Sequence, residues 1–414
     1  MARKRAGFPG LPGLLGVSVA VMALALAACG ADPTATPAPT ATPLPEAAPT
    51  LDAAALFQIE WAELIEAAQA EGEIVMTFGG SAGRNFRPIA EFWAEKFGIT
   101  PVIATGSGGA HVERILAEQT AGQYLVDVHF GGNTSTITRL VPAGALNPVA
   151  DLFIHPEVID QSLWAGGKHS YSDPPQQFVF AFAANASPNP LAAWYNTDLV
   201  TQEDIDGINS VFDYLVPKWQ GKIIAHIPIA GSGGTGSYYL AYAHPDIGRE
   251  WVDRFISREM DVTFSNDQRF IVDGITKGVF ALGVNIGGGG RDLDSLATLG
   301  APVKELLKDF KEGGEMSSSS SVDILSTPTN PPNPNAAKLW VNWWLSKEGQ
   351  TLMHTMSEVL PDPTLRVDVT EWGKVPEDVR RKPGREYYSF ATDPEFLVLR
   401  EEALAYAANA YKNR

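Results

Sequence analysis

The sequence predicts an α/β protein of two lobes, and three features carry that prediction. Apolar strands ending in Gly- and Ser-rich turns alternate with amphipathic helices, which is the pattern of a parallel sheet. The unit occurs in two separate stretches of the chain. The length, 414 residues, is that of two domains with ample material for buried cores.

The first lobe opens near Leu51. Ala54, Phe57, Trp61, Leu64, Ile65 and Ala68 recur at helical spacing, and Gly72 stops the helix. Glu73–Phe78 reads as a buried strand ending at Gly79-Gly80-Ser81. A helix follows with Phe86, Ile89, Phe92, Trp93 and Phe97 on one face. Thr100–Ala104 is the next strand, then a helix carrying Val112, Ile115 and Leu116, then the strand Val126–Phe130. The second lobe repeats the unit: a strand over Gly221–Ile227, helices around Tyr239 to Tyr242 and Trp251 to Ile256, and a strand over Val279–Ile286. The apolar segments 177–184 and 192–195 are expected to cross between lobes. Ser321–Leu325 is expected as a strand, and a helix from Asn335 carries Trp340, Trp343 and Trp344 back onto the first lobe. Lobe 1 is thus read as residues 51–180 with about 321–414, and lobe 2 as residues 181–320.

Composition narrows the function. The chain has 31 Lys+Arg against 48 Asp+Glu, a net charge of −17, which disfavours nucleic acid or anionic lipid as the main partner. A single cysteine excludes an internal disulfide framework and any multi-cysteine metal site. That cysteine, Cys29, sits at the end of an N-terminal segment: Arg3-Lys4-Arg5, then the apolar run Leu14–Ala28, then Leu26-Ala27-Ala28-Cys29. Fifteen apolar residues suit a signal sequence rather than a membrane span. The ending resembles a bacterial lipobox, which implies a signal peptide over residues 1–28 and diacylation of Cys29. Residues 31–50 hold six Pro and five Thr and cannot bury a core, so 29–50 reads as a lipid attachment point and extended tether. Removal of residues 1–28 takes three positive charges and no acids, leaving −20.

In an open α/β sheet, ligands bind at the carboxyl ends of strands and against helix N-termini. Here those ends read GGSAGR, TGSGG, GGNTST, GSGGTGS and NIGGGGR. Ser81, Arg84, Ser107, Gly108, Asn133, Thr134, Ser232, Gly233, Thr235, Ser237, Asn285 and Arg291 are the candidate ligand-binding residues. They offer backbone N–H groups, hydroxyls and two cations, which suits a small polar or anionic ligand. The stretch 231–236 fits G-x-G-x-x-G, but the region about twenty residues on is helical in pattern, so no nucleotide cofactor is expected. No nucleophile elbow, P-loop or H-E-x-x-H motif is present, and catalytic, metal and cofactor residues are each expected to be none. His111 and His129 each adjoin a candidate loop, Asp292 and Asp294 read as surface charge, and the Ser317–Ser321 run as a flexible loop.

The chain resembles the extracellular solute-binding proteins of bacterial ABC importers, in the branch with ferric-iron, thiamine, polyamine and organophosphate binders. The resemblance is carried by Glu73–Phe78 with its Gly loop, Trp194–Val200, Val216–Ile223 and Pro334–Trp340 through Leu345–Gln350. It implies a type II periplasmic-binding-protein fold with a cleft between lobes and a membrane permease as partner; together with the lipobox, the chain is expected to be a lipid-anchored monomer at the extracytoplasmic face. Ferric-binding members place adjacent tyrosines just after the strand matching Phe280–Ile286; here Asn285-Ile286-Gly287-Gly288 stands instead. Tyr238 and Tyr239 are adjacent but begin a helix, and read as cleft lining or core. Iron or iron-chelate binding is one alternative; a lipid-anchored hydrolase or a ligand sensor is another.

Overall fold

The computed structural model describes residues 52–79, 82–229, 235–287, 289–318, 323–357, 361–382 and 384–414. Cys29 and its flanking segments lie outside them, as do Ser81, Ser232 and Gly233.

The first lobe follows the sequence pattern closely. Helix α1 (Ala53–Glu71) is capped by the Asp52 carboxylate, which accepts from the Ala55 N–H, and ends at Gly72 with φ 81°. Then come β1 (Glu73–Gly79), α2 (Arg87–Phe97), β2 (Thr100–Gly106), α3 (Gly108–Thr120) and β3 (Val128–Phe130). The sheet order is β2-β1-β3, all parallel. Its core runs from Leu64 to Ala184 and resumes from Ile324 to Leu365.

The chain then enters β4 (Asn185–Ser187) and the second lobe: β5 (Ala193–Asn196), β6 (Ile223–His226), α4 (Thr235–Ala243), α5 (Gly248–Ile256), β7 (Thr263–Ser265), α6 (Gln268–Thr276), β8 (Leu282–Val284), α7 (Gly289–Thr298) and β9 (Val303–Glu305). The sheet order is β7-β6-β8-β5-β9. Strands β7, β6 and β8 are parallel, while β5 runs antiparallel to both β8 and β9. Its faces are covered by a large core (Leu191 to Phe310) and a small one around Trp194, Ile224 and Ile275.

Strand β10 (Gly314–Ser317) leads back to the first lobe, where α8 (Pro334–Leu345) is buried almost all round. Trp344 of α8 packs edge-on against Phe86, Phe130 and Phe182, and Trp340 against Trp93. Asp127 ties α8 to the sheet, because its carboxylate accepts from the Val75 N–H, the Asn333 N–H and the Asn333 side-chain amide. The chain crosses a third time through β11 (Tyr387–Tyr388) and ends in α9 (Arg400–Lys412).

Three expectations change. The segments 177–184 and 192–195 do not cross: Phe180–Ala181 pairs inside the first lobe and β5 belongs to the second sheet. The crossings are β4, β10 and β11, which form their own sheet, β10 antiparallel to β4 and parallel to β11. The end of the chain belongs to the second lobe, not the first. Phe390, Phe396, Ala403 and Ala407 lie in its large core, and α9 packs on α4 and α5. Small Ala403 and Ala407 let the helix approach closely. Within the serine run, Ser317 pairs with Asn185, and the Ser318 hydroxyl donates to the Ala183 carbonyl; 319–321 lie outside the described residues.

Candidate ligand-binding site

The ends of β1, β2 and β3 meet at three glycines. A Cβ on Gly108 would stand 2.5 Å from the Gly132 nitrogen and 2.6 Å from its Cα, and one on Gly79 would stand 3.0 Å from the Gly108 Cα. Gly132 also holds φ 62°, the left-handed region that other residues adopt at a cost. Only glycines permit this backbone approach, and it draws the two following loops together.

The result is a cluster of donors. Ser107 is the N-cap of α3 in an extended conformation, and its hydroxyl makes no capping bond. The first N–H groups of a thirteen-residue helix therefore lack intrahelical partners. The Ser107 and Ser135 hydroxyl oxygens lie 3.8 and 3.9 Å from the Cβ position of Gly109, at the start of that helix. The Ser135 hydroxyl donates to the Gly132 carbonyl. Asn133 donates from Nδ2 to the Ser318 carbonyl at 3.3 Å, while its Oδ1 is buried with no partner among the described residues. Gly108, Ser107, Asn133 and Thr134 are thus brought together. Arg84, exposed on the short turn Ala82–Asn85 after β1, stands on the same strand-end edge.

In the second lobe, Asn285 follows β8 with φ 57° and is buried; its amide makes no well-aligned hydrogen bond among the described residues. Its carbonyl accepts from the His226 N–H, so it sits at the strand ends. Ser237 is half-buried in the first turn of α4. Thr235 begins α4 and Arg291 lies in α7, but their side chains are outside the described set.

Tyr238 and Tyr239 are core residues. Tyr238 is fully buried and donates its hydroxyl to the His226 carbonyl at 2.8 Å, and Tyr239 donates to the Phe390 carbonyl at 2.8 Å. Burial pushes both phenols far up, so neither is a ready phenolate. His111 and His129 are also core, with ring centroids 6.3 Å apart. His129 Nδ1 bonds the Thr77 hydroxyl at 2.7 Å, and burial lowers its pKa to about 3. Desolvation lowers His111 as well, so both rings are neutral at pH 7. Among the described residues no group of three or more His, Cys, Asp or Glu is placed to hold a metal, and no helix is long and apolar enough to cross a membrane.

Sequence reasoning missed Arg400. It opens α9 in the second lobe, yet its Nη2 donates to Thr134 Oγ1 in the first lobe at 3.3 Å. Its charge also reaches the Tyr239 hydroxyl, where it opposes the upward push of burial. The residue reads as ordinary helix surface in the sequence, and only the third crossing brings it here.

Two α/β lobes, the first with a parallel sheet and the second with a mixed one, joined by crossing strands and bearing glycine-rich strand ends, define a periplasmic-binding-protein fold of type II. The family comparison agrees: residues 88–380 match the bacterial extracellular solute-binding protein family, and the chain belongs to it. Solved structures share the fold at low identity. Ferric iron-binding protein A of Mannheimia haemolytica in an open conformation matches with TM-score 0.57 and 14% identity, over 83% of this chain and 99% of that one. The Trichodesmium protein IdiA (FutA), in complex with iron and citrate, matches with TM-score 0.56 and 15% identity, over 82% and 99%. An ABC transporter structure from Clostridium perfringens matches with TM-score 0.55 and 13% identity, over 82% and 99%. No curated protein sequence matches.

Proposed function

We propose that the chain captures a small polar or anionic ligand between its lobes and delivers it to the permease of an ABC importer. It would act at the extracytoplasmic face of the membrane, held there by acyl chains on Cys29. The observation that carries this reading is the convergence at Gly79, Gly108 and Gly132, which gathers the N-terminus of α3 with the Ser107 hydroxyl and the loop that carries Asn133 and Thr134. Such a cluster stabilises negative charge in the ligand, and closure of the lobes strengthens it by excluding water. The three-stranded crossing sheet suits a hinge, and a ligand that bridges both lobes shifts the population toward the closed form.

Iron is the main rival, since two of the structural relatives are iron proteins. The commitment of both tyrosine hydroxyls to backbone carbonyls favours the anion reading over direct ferric coordination. A thermal-shift screen of phosphate, sulfate, citrate, ferric citrate and putrescine on residues 30–414 separates them. Stabilisation by an iron-free anion supports the proposal, and stabilisation by putrescine alone refutes it. Membrane attachment is tested in the full chain: Cys29→Ala is expected to release the protein from the membrane fraction, and retention refutes the anchor.

A further inference from the structure

We propose that Arg400, carried by the C-terminal helix, is the cation that grips the anionic group of the ligand across the cleft. This rests on the anion reading above and assigns it a residue.

Helix α9 is fixed to the second lobe. Glu402 accepts from the Tyr242 hydroxyl and from Arg249 Nη2, the latter at 2.6 Å, and the Tyr406 hydroxyl donates to the Asp253 carboxylate at 2.8 and 2.9 Å. Ala403 and Ala407 are buried beneath it. Arg400 therefore moves with the second lobe, while Thr134, its hydrogen-bond partner, belongs to the loop that follows β3 in the first. The neighbouring Ser135 is one of the two hydroxyls at the N-terminus of α3. The guanidinium is thus held at the donor cluster of the opposite lobe.

What Arg400 binds there is too little for its chemistry. A guanidinium offers five N–H donors in a planar fork that fits a carboxylate or phosphate in bidentate fashion. Arg400 is half-buried, and among the described residues its hydrogen bond is one to a neutral hydroxyl, with no acid paired to it. Two acids close in sequence are engaged elsewhere, Glu402 with Arg249 and Asp393 with Lys168. The fully buried Arg366 of the first lobe looks different. It pairs with both oxygens of Asp368 and donates to the Glu157 and Leu345 carbonyls. In a chain with 48 acids and 31 bases, an arginine left with a single neutral partner beside a hydroxyl cluster fits an anion supplied from outside. A carboxylate, phosphate or sulfate group placed between Arg400 and Ser107 would bond both lobes at once and hold them closed.

The experiment uses calorimetric titration of residues 30–414 with inorganic phosphate, sulfate, citrate and putrescine. It compares wild type, Arg400→Gln, Arg400→Lys and the control Lys412→Gln at the far end of α9. Wild type is expected to bind one of the anions. Arg400→Gln is expected to weaken that anion about 10- to 150-fold, the range of a lost charge-assisted hydrogen bond. Arg400→Lys should recover part of the affinity because it keeps the charge and loses the fork, and Lys412→Gln should match wild type. A second readout needs no variant: phenylglyoxal labelling of Arg400, followed by peptide mass spectrometry, should be suppressed by the bound anion. An anion that binds Arg400→Gln as tightly as wild type, or leaves labelling unchanged, overturns the assignment while the cleft reading stands. Binding of putrescine alone overturns both.

Discussion

Gly108→Ala probes the geometry on which the site depends. The added methyl carbon would lie 2.5 Å from the Gly132 nitrogen, about 0.9 Å inside the 3.4 Å at which ordinary contact begins. The obstacle is backbone at the end of β3, so no side-chain rotation relieves it. The loops after β2 and β3 must separate by most of that distance. Overpacking of this kind costs about 1–3 kcal/mol, which corresponds to roughly 2–10 °C in melting temperature for a protein of a few hundred residues. The separation also displaces the N-terminus of α3, so affinity for the anion that stabilises the wild type should fall about tenfold, the worth of one lost hydrogen bond. Gly207→Ala is the control, because nothing lies within 4 Å of its Cβ position at the end of a short helix. It should melt within about 1 °C of wild type, or higher, since alanine favours the helix. Differential scanning calorimetry and anion titration read both effects. A Gly108→Ala protein with wild-type melting and affinity, or an equal loss in Gly207→Ala, would show that the close approach of Gly108 to Gly132 does not shape the site.

Three further outcomes follow from ionisable groups within the fold. Burial holds His129 at about 3 against an ordinary 6.5, so the unfolded chain takes its proton first as pH falls. The stabilisation is complete above pH 6.5 and lost between there and about pH 3; at pH 4.5 the loss is about 3 kcal/mol from this residue. Urea unfolding at pH 7 and 4.5 should show it, with a smaller drop in His129→Asn. Desolvation pushes Glu315, in β10, up to about 8, so the folded form keeps its proton and stability falls as pH rises from about 4.5 toward 8. Glu315→Gln should therefore raise the melting temperature at pH 8 more than at pH 5; an equal change at both would sink the assignment. Arg366→Leu removes the fully buried partner of Asp368 (2.7 Å) and should cost about 3–5 kcal/mol, read by urea unfolding. Arg366→Lys should not restore it, because the ammonium cannot reproduce the two-pronged bond.

The first lobe was legible because its information is local. Strands β1 to β3 are short apolar runs, and the glycines that end them are required by the contacts they make. The strand read over Val279–Ile286 is the three-residue β8, a trimming of its ends. What the sequence hid is set by distant pairing. Strand β5 is an apolar run like a crossing strand, and only its antiparallel bonds to β8 and β9 place it inside the second sheet. Strands β4, β10 and β11 have two to four residues each and carry no periodicity to read. Adjacent tyrosines at a helix start look alike whether they face a cleft or a core, and the carbonyls that Tyr238 and Tyr239 reach come from His226 and Phe390, the latter 151 residues away. Arg400 was hidden for the same reason, since its partner Thr134 lies 266 residues back.

A small anion is expected to close the lobes on one another. Small-angle X-ray scattering of residues 30–414, with and without the anion that raises the melting temperature most, tests it directly. A smaller radius of gyration is expected on saturation, and no contraction in Arg400→Gln at the same concentration. A bound anion that leaves the wild-type radius unchanged would contradict it.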